Sequence, residues 1–208
     1  MELNCELIKN NQYKQSAWSG GTTTEMFIYP SDSSYADRNF TWRISSASVD
    51  LDESTFTSLP DYHRILMVIK GKLLLNHEGV NPIELNELEQ DSFDGGIATV
   101  SKGRVTDFNL MMKKGLCEGK VEALNIKSYL ALSDNSEECK YNKFKEFTEV
   151  YYNIKGIVSV LIDKNKKIFL ENKDLLIISR KNEKHSLLFE LPDGINEEAI
   201  LIKAKIFY

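Results

Sequence analysis

The sequence is poor in the residues that build metal centres and disulfide frameworks. Its 208 residues include three cysteines and three histidines, and no two cysteines stand in a Cys-x-x-Cys pair. No histidine has a second histidine within four residues, whereas mononuclear metal sites usually draw two or three imidazoles or equivalent carboxylates. We therefore expect no disulfide framework, no metal and no other cofactor, and isolated cysteines of this kind are typical of a reducing cytoplasm.

The sequence also lacks an excess of positive charge and long apolar runs. The formal net charge is -5 at pH 7, whereas a nucleic-acid-binding surface needs a basic patch. No apolar run approaches the ~18 residues that a membrane-spanning helix requires. Residues 1–15 are polar and do not resemble a signal peptide. The sequence thus predicts a cytoplasmic protein that binds neither nucleic acid nor membranes.

Short apolar runs, separated by Gly, Asn, Asp and Pro, recur along the whole chain. This density of strand-length runs with turn signals is typical of an antiparallel sandwich or barrel. The best helix candidate is residues 140–150, and residues 133–139 form the most linker-like segment because they are rich in Ser, Asp, Asn and Glu. We predict an all-β fold with few short helices.

A faint internal repeat divides the chain. Ile69-Lys70-Gly71 recurs 85 residues later as Ile154-Lys155-Gly156, and at the same offset Ile83-Glu84-Leu85 is matched by Ile168-Phe169-Leu170. The repeat predicts a duplicated β-unit. We expect an N-terminal half, residues 1–132, that carries a pocket, and a C-terminal half, residues 133–208, that has lost the polar strand features of the first and serves mainly as scaffold.

Two strand-like runs carry polar side chains where a barrel strand is expected to be apolar. Side chains alternate between the two faces of a strand, so Arg43 and Ser45 share one face of the first run. Asp107 and Asn109 share one face of the second run in the same way. These faces either point to solvent from half-buried strands or line a pocket, and the pattern alone leaves both interpretations open.

Three further features could serve a ligand site. The paired glycines before Thr23 form either a tight turn or part of a pocket rim. Arg64, at the start of the most apolar strand, could bind a carboxylate with two parallel hydrogen bonds or form an ordinary surface ion pair. His63 could act as a general base or simply be solvated. No Gly-x-Ser-x-Gly motif is present.

These residues together resemble those of a known family. The resemblance is carried by Trp18, Gly20, Gly21, Thr22, Thr23, Glu25, the Trp42-Arg43-Ile44-Ser45 strand, Ala47, Phe56, Pro60, Arg64, Gly71, Phe93, Gly95 and the Asp107-Phe108-Asn109 strand. In order and spacing they are similar to the HutD/Ves family over the first 115 residues. The chain departs from the family pattern at Thr24, where an arginine is frequent.

The resemblance implies a cupin-type jelly-roll barrel in a duplicated, bicupin arrangement. It also implies a link to histidine utilisation or to stress responses, and binding of a small catabolite such as formylglutamate. We expect the site to be lined by Arg43, Ser45, Arg64, Asp107, Asn109, Trp42, Met111 and Thr23. The arginines would counter a carboxylate, Asp107 would pair with Arg43 or accept from an amine, and Trp42 or Met111 would form an apolar wall.

Three functions stay open at this point. The first is a metal-independent protein that binds a small anionic or polar molecule and is not an enzyme. The second is a metal-free isomerase or hydrolase of a small acid that uses His63 as base. The third is an interaction module whose barrel is filled and has no ligand pocket. A homodimer could form through an exposed sheet edge in any of these cases.

Overall fold

The computed structural model describes residues 4–133, 144, 146–180, 185–195 and 197–208. Its contacts divide the chain into two compact units. The central unit comprises Tyr13–Glu118, and the terminal unit comprises the described residues before and after it.

Short antiparallel strands and one 3₁₀ turn, Asn10–Gln12, make up the regular structure of the described residues. The strands of the first half are β1 (Asn4–Ile8), β2 (Lys14–Trp18), β3 (Gly21–Tyr29), β4 (Trp42–Val49), β5 (Glu53–Thr55), β6 (Tyr62–Lys70), β7 (Leu73–His77), β8 (Ile83–Leu85), β9 (Gln90–Asp94), β10 (Thr99–Lys102) and β11 (Thr106–Lys113). They continue with β12 (Glu118–Ile126), β13 (Tyr129–Ser133), β14 (Phe147–Lys155), β15 (Val158–Ile162), β16 (Lys166–Leu170), β17 (Leu175–Arg180), β18 (Ser186–Glu190) and β19 (Ala199–Phe207).

The central unit consists of two sheets that enclose an apolar core. A six-stranded sheet has the order β2-β3-β4-β11-β6-β9, and a four-stranded sheet has the order β5-β10-β7-β8. Leu66 and Val68 of the first sheet pack with Leu73 and Leu75 of the second, and all four are almost fully buried. Burial of this kind is the main favourable contribution to folding.

The terminal unit repeats this arrangement with its own core. Its sheets have the orders β1-β17-β14-β19-β12 and β13-β18-β15-β16. Tyr151, Leu176 and Leu201 of the first sheet pack with Val160 and Phe189 of the second.

The two units share one topology, which confirms the predicted duplication and all-β class. The order β4-β11-β6-β9 recurs as β12-β19-β14-β17, and β5-β10-β7-β8 recurs as β13-β18-β15-β16. The repeated Lys-Gly pair ends β6 in one unit and β14 in the other. Gly71 has a φ of 95° and Gly156 a φ of 75°, a backbone conformation that favours glycine and turns the chain into the next strand.

The boundaries between the two units lie at residues 12/13 and 118/119, and not between residues 132 and 133 as predicted. β1 pairs with β17, so the N-terminal strand joins the terminal unit. β13 pairs with β18 in the same unit, although four of its five residues precede residue 133. Strand pairing over long sequence distances, which the repeat does not reveal, sets these boundaries.

The predicted helix over residues 140–150 is wrong in its described C-terminal part. Residues 147–150 begin strand β14, whose first seven residues are all buried. Because both faces of this strand are buried, its sequence lacks the apolar–polar alternation that would distinguish a strand from a helix. Residues 144 and 146 have no regular structure, and the rest of that prediction and most of the predicted linker lie outside the described residues. No helix among the described residues is long and apolar enough to cross a membrane.

Candidate functional site

A cavity of about 310 Å³ lies within the central unit, against its six-stranded sheet. Seven of the eight predicted site residues line it: Thr23, Arg43, Ser45, Arg64, Asp107, Asn109 and Met111. The hypothesis of an interaction module predicted a filled barrel without a ligand pocket, whereas this unit contains both a packed core and a pocket. Contact of the seven residues with a ligand stays a prediction.

Strand register explains why these side chains converge. β11 lies between β4 and β6, and Met111 is directly opposite Arg43 on one side and Arg64 on the other. Asn109 is opposite Ser45 in the same ladder. Residues directly opposite each other in antiparallel strands project from the same face, so the polar positions of three strands face one space.

The other face of these strands is apolar and equally buried. Ile44, Phe108 and Leu110 alternate with the cavity residues and have no exposed surface. The polar faces therefore do not point to solvent, and of the two interpretations that the sequence left open, the pocket is the one that the structure contains.

Trp42 is not part of the cavity wall, contrary to the prediction. It is next to Arg43 in the strand and projects to the opposite face, where its ring stacks on Phe27 and Tyr29 with centroid distances of 5.1 and 5.6 Å. Met111, the alternative wall residue in that prediction, does line the cavity. Phe56, to which the sequence gave no such role, lines it as well.

His63 also lies outside the cavity lining. It precedes Arg64 in β6 and projects to the other face, where its Nε2 is 2.8 Å from Oγ of Ser92. Burial lowers the pKa of this imidazole, against the nearby charge of Asp94. His63 does not reach a ligand held in the cavity, so the enzyme hypothesis loses its proposed base there.

Arg43 is held by a carboxylate, but not by the predicted one. Its Nε donates to Oε2 of Glu25 at 2.8 Å, and its Nη1 donates to Oγ of Ser45 at 2.9 Å. Its guanidinium carbon is 4.6 Å from the ring centroid of Tyr35, a cation–π distance. The predicted Arg43–Asp107 pair is therefore replaced by an Arg43–Glu25 pair, because β3 places Glu25 opposite Ser45.

Arg64 is buried against two neighbouring aromatic rings and is 6% exposed. Its guanidinium carbon is 4.7 Å from the centroid of Phe56 and 5.4 Å from that of Phe93. Among the described residues its Nε has no hydrogen-bond partner. Burial lowers the pKa of this guanidinium to about 10, although the charge of Asp107 acts in the opposite direction.

Asp107 and Asn109 provide the acceptors of the cavity. Oδ1 of Asp107 accepts a hydrogen bond from the backbone N–H of Ala47 at 2.9 Å. Burial raises the pKa of Asp107 to about 6, against that hydrogen bond and the charge of Arg64. The side-chain oxygen of Asn109, a residue that is 5% exposed, has no partner within the described part of the chain.

Sequence reasoning missed the residues that set the state of the two arginines. Glu25, Phe56 and Phe93 belong to the family-like motif, but the sequence gives them no specific role. No sequence pattern singles out Tyr35. Glu25 could have been found only by placing β3 next to β4, which requires the pairing itself. The two rings that Arg64 packs against belong to Phe93 of β9 and to Phe56 of the segment after β5.

The terminal unit does not lack charged groups at the corresponding positions, contrary to the prediction. Glu149 stands 85 residues after Arg64 and is opposite Lys205, as Arg64 is opposite Met111. Glu149 has partners in His185, with Nε2 at 3.0 Å, and in Lys203, with Nζ at 3.5 Å. Burial acts to raise its pKa, but the His185 hydrogen bond and the lysine charges hold it at about 2.

Solved structures of the same fold include a conserved protein of unknown function from Pseudomonas aeruginosa PAO1, with a TM-score of 0.81 at 18% identity over 98% of both chains. HutD from Pseudomonas fluorescens SBW25 has a TM-score of 0.71 at 19% identity, over 97% of this chain and 98% of that one. The vicilin from Solanum melongena has a TM-score of 0.62 at 9% identity, over 96% of this chain and 84% of that one. At these identities the likeness shows the fold, and because the vicilin is a cupin, it confirms the predicted duplicated cupin-type jelly roll.

Sequence comparison extends the resemblance beyond the first 115 residues. No protein of curated function matches the chain. A family model described as HutD matches residues 10–193, which include the strands of the cavity and most strands of the terminal unit. This chain belongs to the HutD family.

Proposed function

We propose that the central unit binds a small molecule through a carboxylate that lies against Arg64. The observation that carries the proposal is a buried guanidinium, facing a cavity, whose Nε has no hydrogen-bond partner in the described residues. An unpaired buried charge is costly, and a guanidinium matches a carboxylate with parallel hydrogen bonds. A bound carboxylate therefore offsets the free-energy cost of burying this charge without a partner.

The other cavity groups narrow the chemistry. The unpaired oxygen of Asn109 favours a ligand that also offers an N–H or O–H group. A cavity of about 310 Å³ is at the small end of ligand pockets and suits a metabolite. A formylglutamate-like molecule, which has carboxylates and an amide N–H, meets these requirements without a metal.

Two comparisons support an anionic ligand and a link to histidine utilisation. The Solanum melongena vicilin is described as holding different anionic ligands in structurally similar pockets. The family name is linked to histidine utilisation. We propose that the chain acts as a binding protein in regulation of histidine utilisation or of a stress response, rather than as an enzyme.

The test is a thermal-shift and calorimetric screen with formate, acetate, L-histidine and N-formyl-L-glutamate. A ligand at 100 times its dissociation constant adds about 2.7 kcal/mol to the free energy of unfolding. Arg64→Met is expected to remove this stabilisation. Arg104→Met serves as control, because Arg104 is exposed and forms a surface pair with Asp52. The proposal fails if no carboxylate stabilises the protein or if Arg64→Met binds as the wild type does.

A further inference from the structure

Two opposite charges face the same cavity without neutralising each other. Arg64 is 6% exposed and Asp107 is 5% exposed, and both line the cavity. Their charges act on each other, yet they form no direct ion pair in the structure. Arg43 differs, because Glu25 is 2.8 Å from its Nε.

Neither of the two groups has a direct ion-pair partner. The carboxylate oxygen Oδ1 of Asp107 has a backbone N–H as its partner, and the Nε of Arg64 has none. Burial raises the pKa of Asp107 to about 6 and lowers that of Arg64 to about 10. Both shifts are towards the neutral form, which is what unpaired burial does to an acid and to a base.

We propose that the cavity selects a zwitterion, such as a free amino acid, whose carboxylate lies against Arg64 and whose ammonium group lies against Asp107 and Oδ1 of Asn109. This inference rests on the proposed carboxylate site and adds the cationic half of the ligand. A plain carboxylate satisfies Arg64 but brings a second anion close to Asp107. A zwitterion satisfies both buried charges, and its ammonium group also supplies the donor that Asn109 lacks.

The pH dependence of affinity has opposite signs for the two ligand types. The titratable groups that line the cavity with Asp107 are Arg64 of β6, Arg43 of β4 and Tyr35 of the loop after β3, and Arg43 is paired with Glu25 of β3. A zwitterion stabilises the ionised carboxylate of Asp107, so its affinity falls as the pH is lowered through about 6. A plain carboxylate favours protonated Asp107, so its affinity rises over the same range.

Calorimetric titration with two matched sets of compounds tests the inference. L-Glutamate, N-formyl-L-glutamate and glutarate share one carbon skeleton and carry an ammonium group, an amide N–H and neither. L-Leucine and 4-methylpentanoate form an apolar pair. In the set that the cavity admits, the amino acid is expected to bind about ten-fold or more tightly than its deaminated counterpart. Asp107→Asn abolishes this preference, whereas Asp52→Asn, at an exposed carboxylate, retains it.

The outcomes separate this inference from the proposed function. If carboxylates bind in an Arg64-dependent manner but the ammonium group brings no preference, the zwitterion is refuted and the carboxylate site stands. The same holds if the affinity for the amino acid rises as the pH is lowered from about 7.5 to 5.5. If no compound of either set binds, the zwitterion is refuted, and the screen with formate, acetate and L-histidine decides whether the carboxylate site is refuted as well. Should Asp107→Asn fail to fold, the sign of the pH dependence in the wild-type protein decides alone.

Discussion

Arg43 and Arg64 line one cavity, but their surroundings differ. Glu25 and Ser45 satisfy the first guanidinium through hydrogen bonds. The second packs against the neighbouring rings of Phe56 and Phe93, and its Nε has no partner in the described residues. A buried side chain with a partner contributes to stability, whereas one without a partner is retained at a cost in stability, which is typical of groups that serve a ligand.

The same substitution at these two positions is expected to have different effects on stability. Arg43→Met leaves the partly buried Glu25 without its partner and should lower the free energy of unfolding by about 1–3 kcal/mol. Arg64→Met removes an uncompensated charge and should change stability little or raise it. Urea denaturation at pH 7 measures both values. Equal losses in the two variants would contradict the assignment of Arg64 as the unpaired cation.

Asp107 should make the protein less stable at neutral pH than at mildly acidic pH. Its folded-state pKa of about 6 lies above the unfolded value of 3.8. The folded protein therefore holds this proton more strongly, and the stabilisation present below about pH 4 is lost as the pH rises through 6. Relative to wild type, Asp107→Asn should gain about 2–3 kcal/mol between pH 4 and 7.5. A pH-independent difference between the two would contradict the raised pKa.

At the level of strands, the turns after β6 and β14 show what the repeated Lys-Gly pair does. Both glycines have positive φ. A Cβ on Gly71 would also lie 2.6 Å from the carbonyl oxygen of Arg104, so space as well as conformation excludes a side chain there. The sequence signal for duplication is therefore a backbone requirement of the turn.

Gly71→Ala and Gly79→Ala separate the two causes. Gly79 also has positive φ, but a Cβ there would meet nothing within 4 Å. We expect Gly79→Ala to cost about 1–2 kcal/mol for conformation alone. Gly71→Ala should cost clearly more, because the backbone must also move away from Arg104. Chemical denaturation compares the variants, and equal costs would show that the close approach is not rigid.

The pairing of β14 with β19 places a charged group of its own inside the terminal unit. Glu149→Gln should lower the free energy of unfolding at pH 7 by about 3–5 kcal/mol, because it leaves His185 and Lys203 without their carboxylate. The folded-state pKa of about 2 lies below the unfolded value of 4.5, so this stabilisation is present above 4.5 and is lost as the pH falls towards 2.

Glu198→Gln provides the control for Glu149. Glu198 forms a surface pair with Lys155 at 3.1 Å. An exposed pair of this kind contributes about 0–1 kcal/mol. A Glu149→Gln variant as stable as Glu198→Gln would show that the Glu149 cluster does not contribute to folding.

For the whole molecule, duplication of the fold has not produced two equivalent sites. The cavity charges of the central unit include an unpaired cation, whereas Glu149 at the corresponding place in the terminal unit is satisfied by its own neighbours. The shared topology therefore carries different chemistry in the two units, as expected when function depends on the site rather than on the fold.

One ligand molecule is expected to bind per chain. Calorimetric titration with the tightest carboxylate of the screen should give a stoichiometry near one, and Arg64→Met should abolish all of the binding. A stoichiometry of two, or binding that survives in Arg64→Met, would place a second site in the chain.

Much of the architecture could be predicted from the sequence. Apolar runs between turn residues predicted the strands, and the Lys-Gly repeat predicted the duplication, since both reflect local requirements of backbone geometry. Alternation in the runs around Arg43 and Asn109 identified four of the seven cavity residues, and the family resemblance added Thr23, Arg64 and Met111. It could not separate a solvent-facing from a cavity-facing strand, because burial of the other face is a tertiary property.

The sequence by itself determined which side chains share a strand face and where the chain turns, because these depend on neighbours in the chain. Only the tertiary structure decided that Glu25 rather than Asp107 pairs with Arg43, that Arg64 packs against two rings without a hydrogen bond at its Nε, and that β1 joins the terminal unit. These outcomes depend on which distant strands lie side by side. Long side chains reach whatever partner that pairing brings within hydrogen-bond distance.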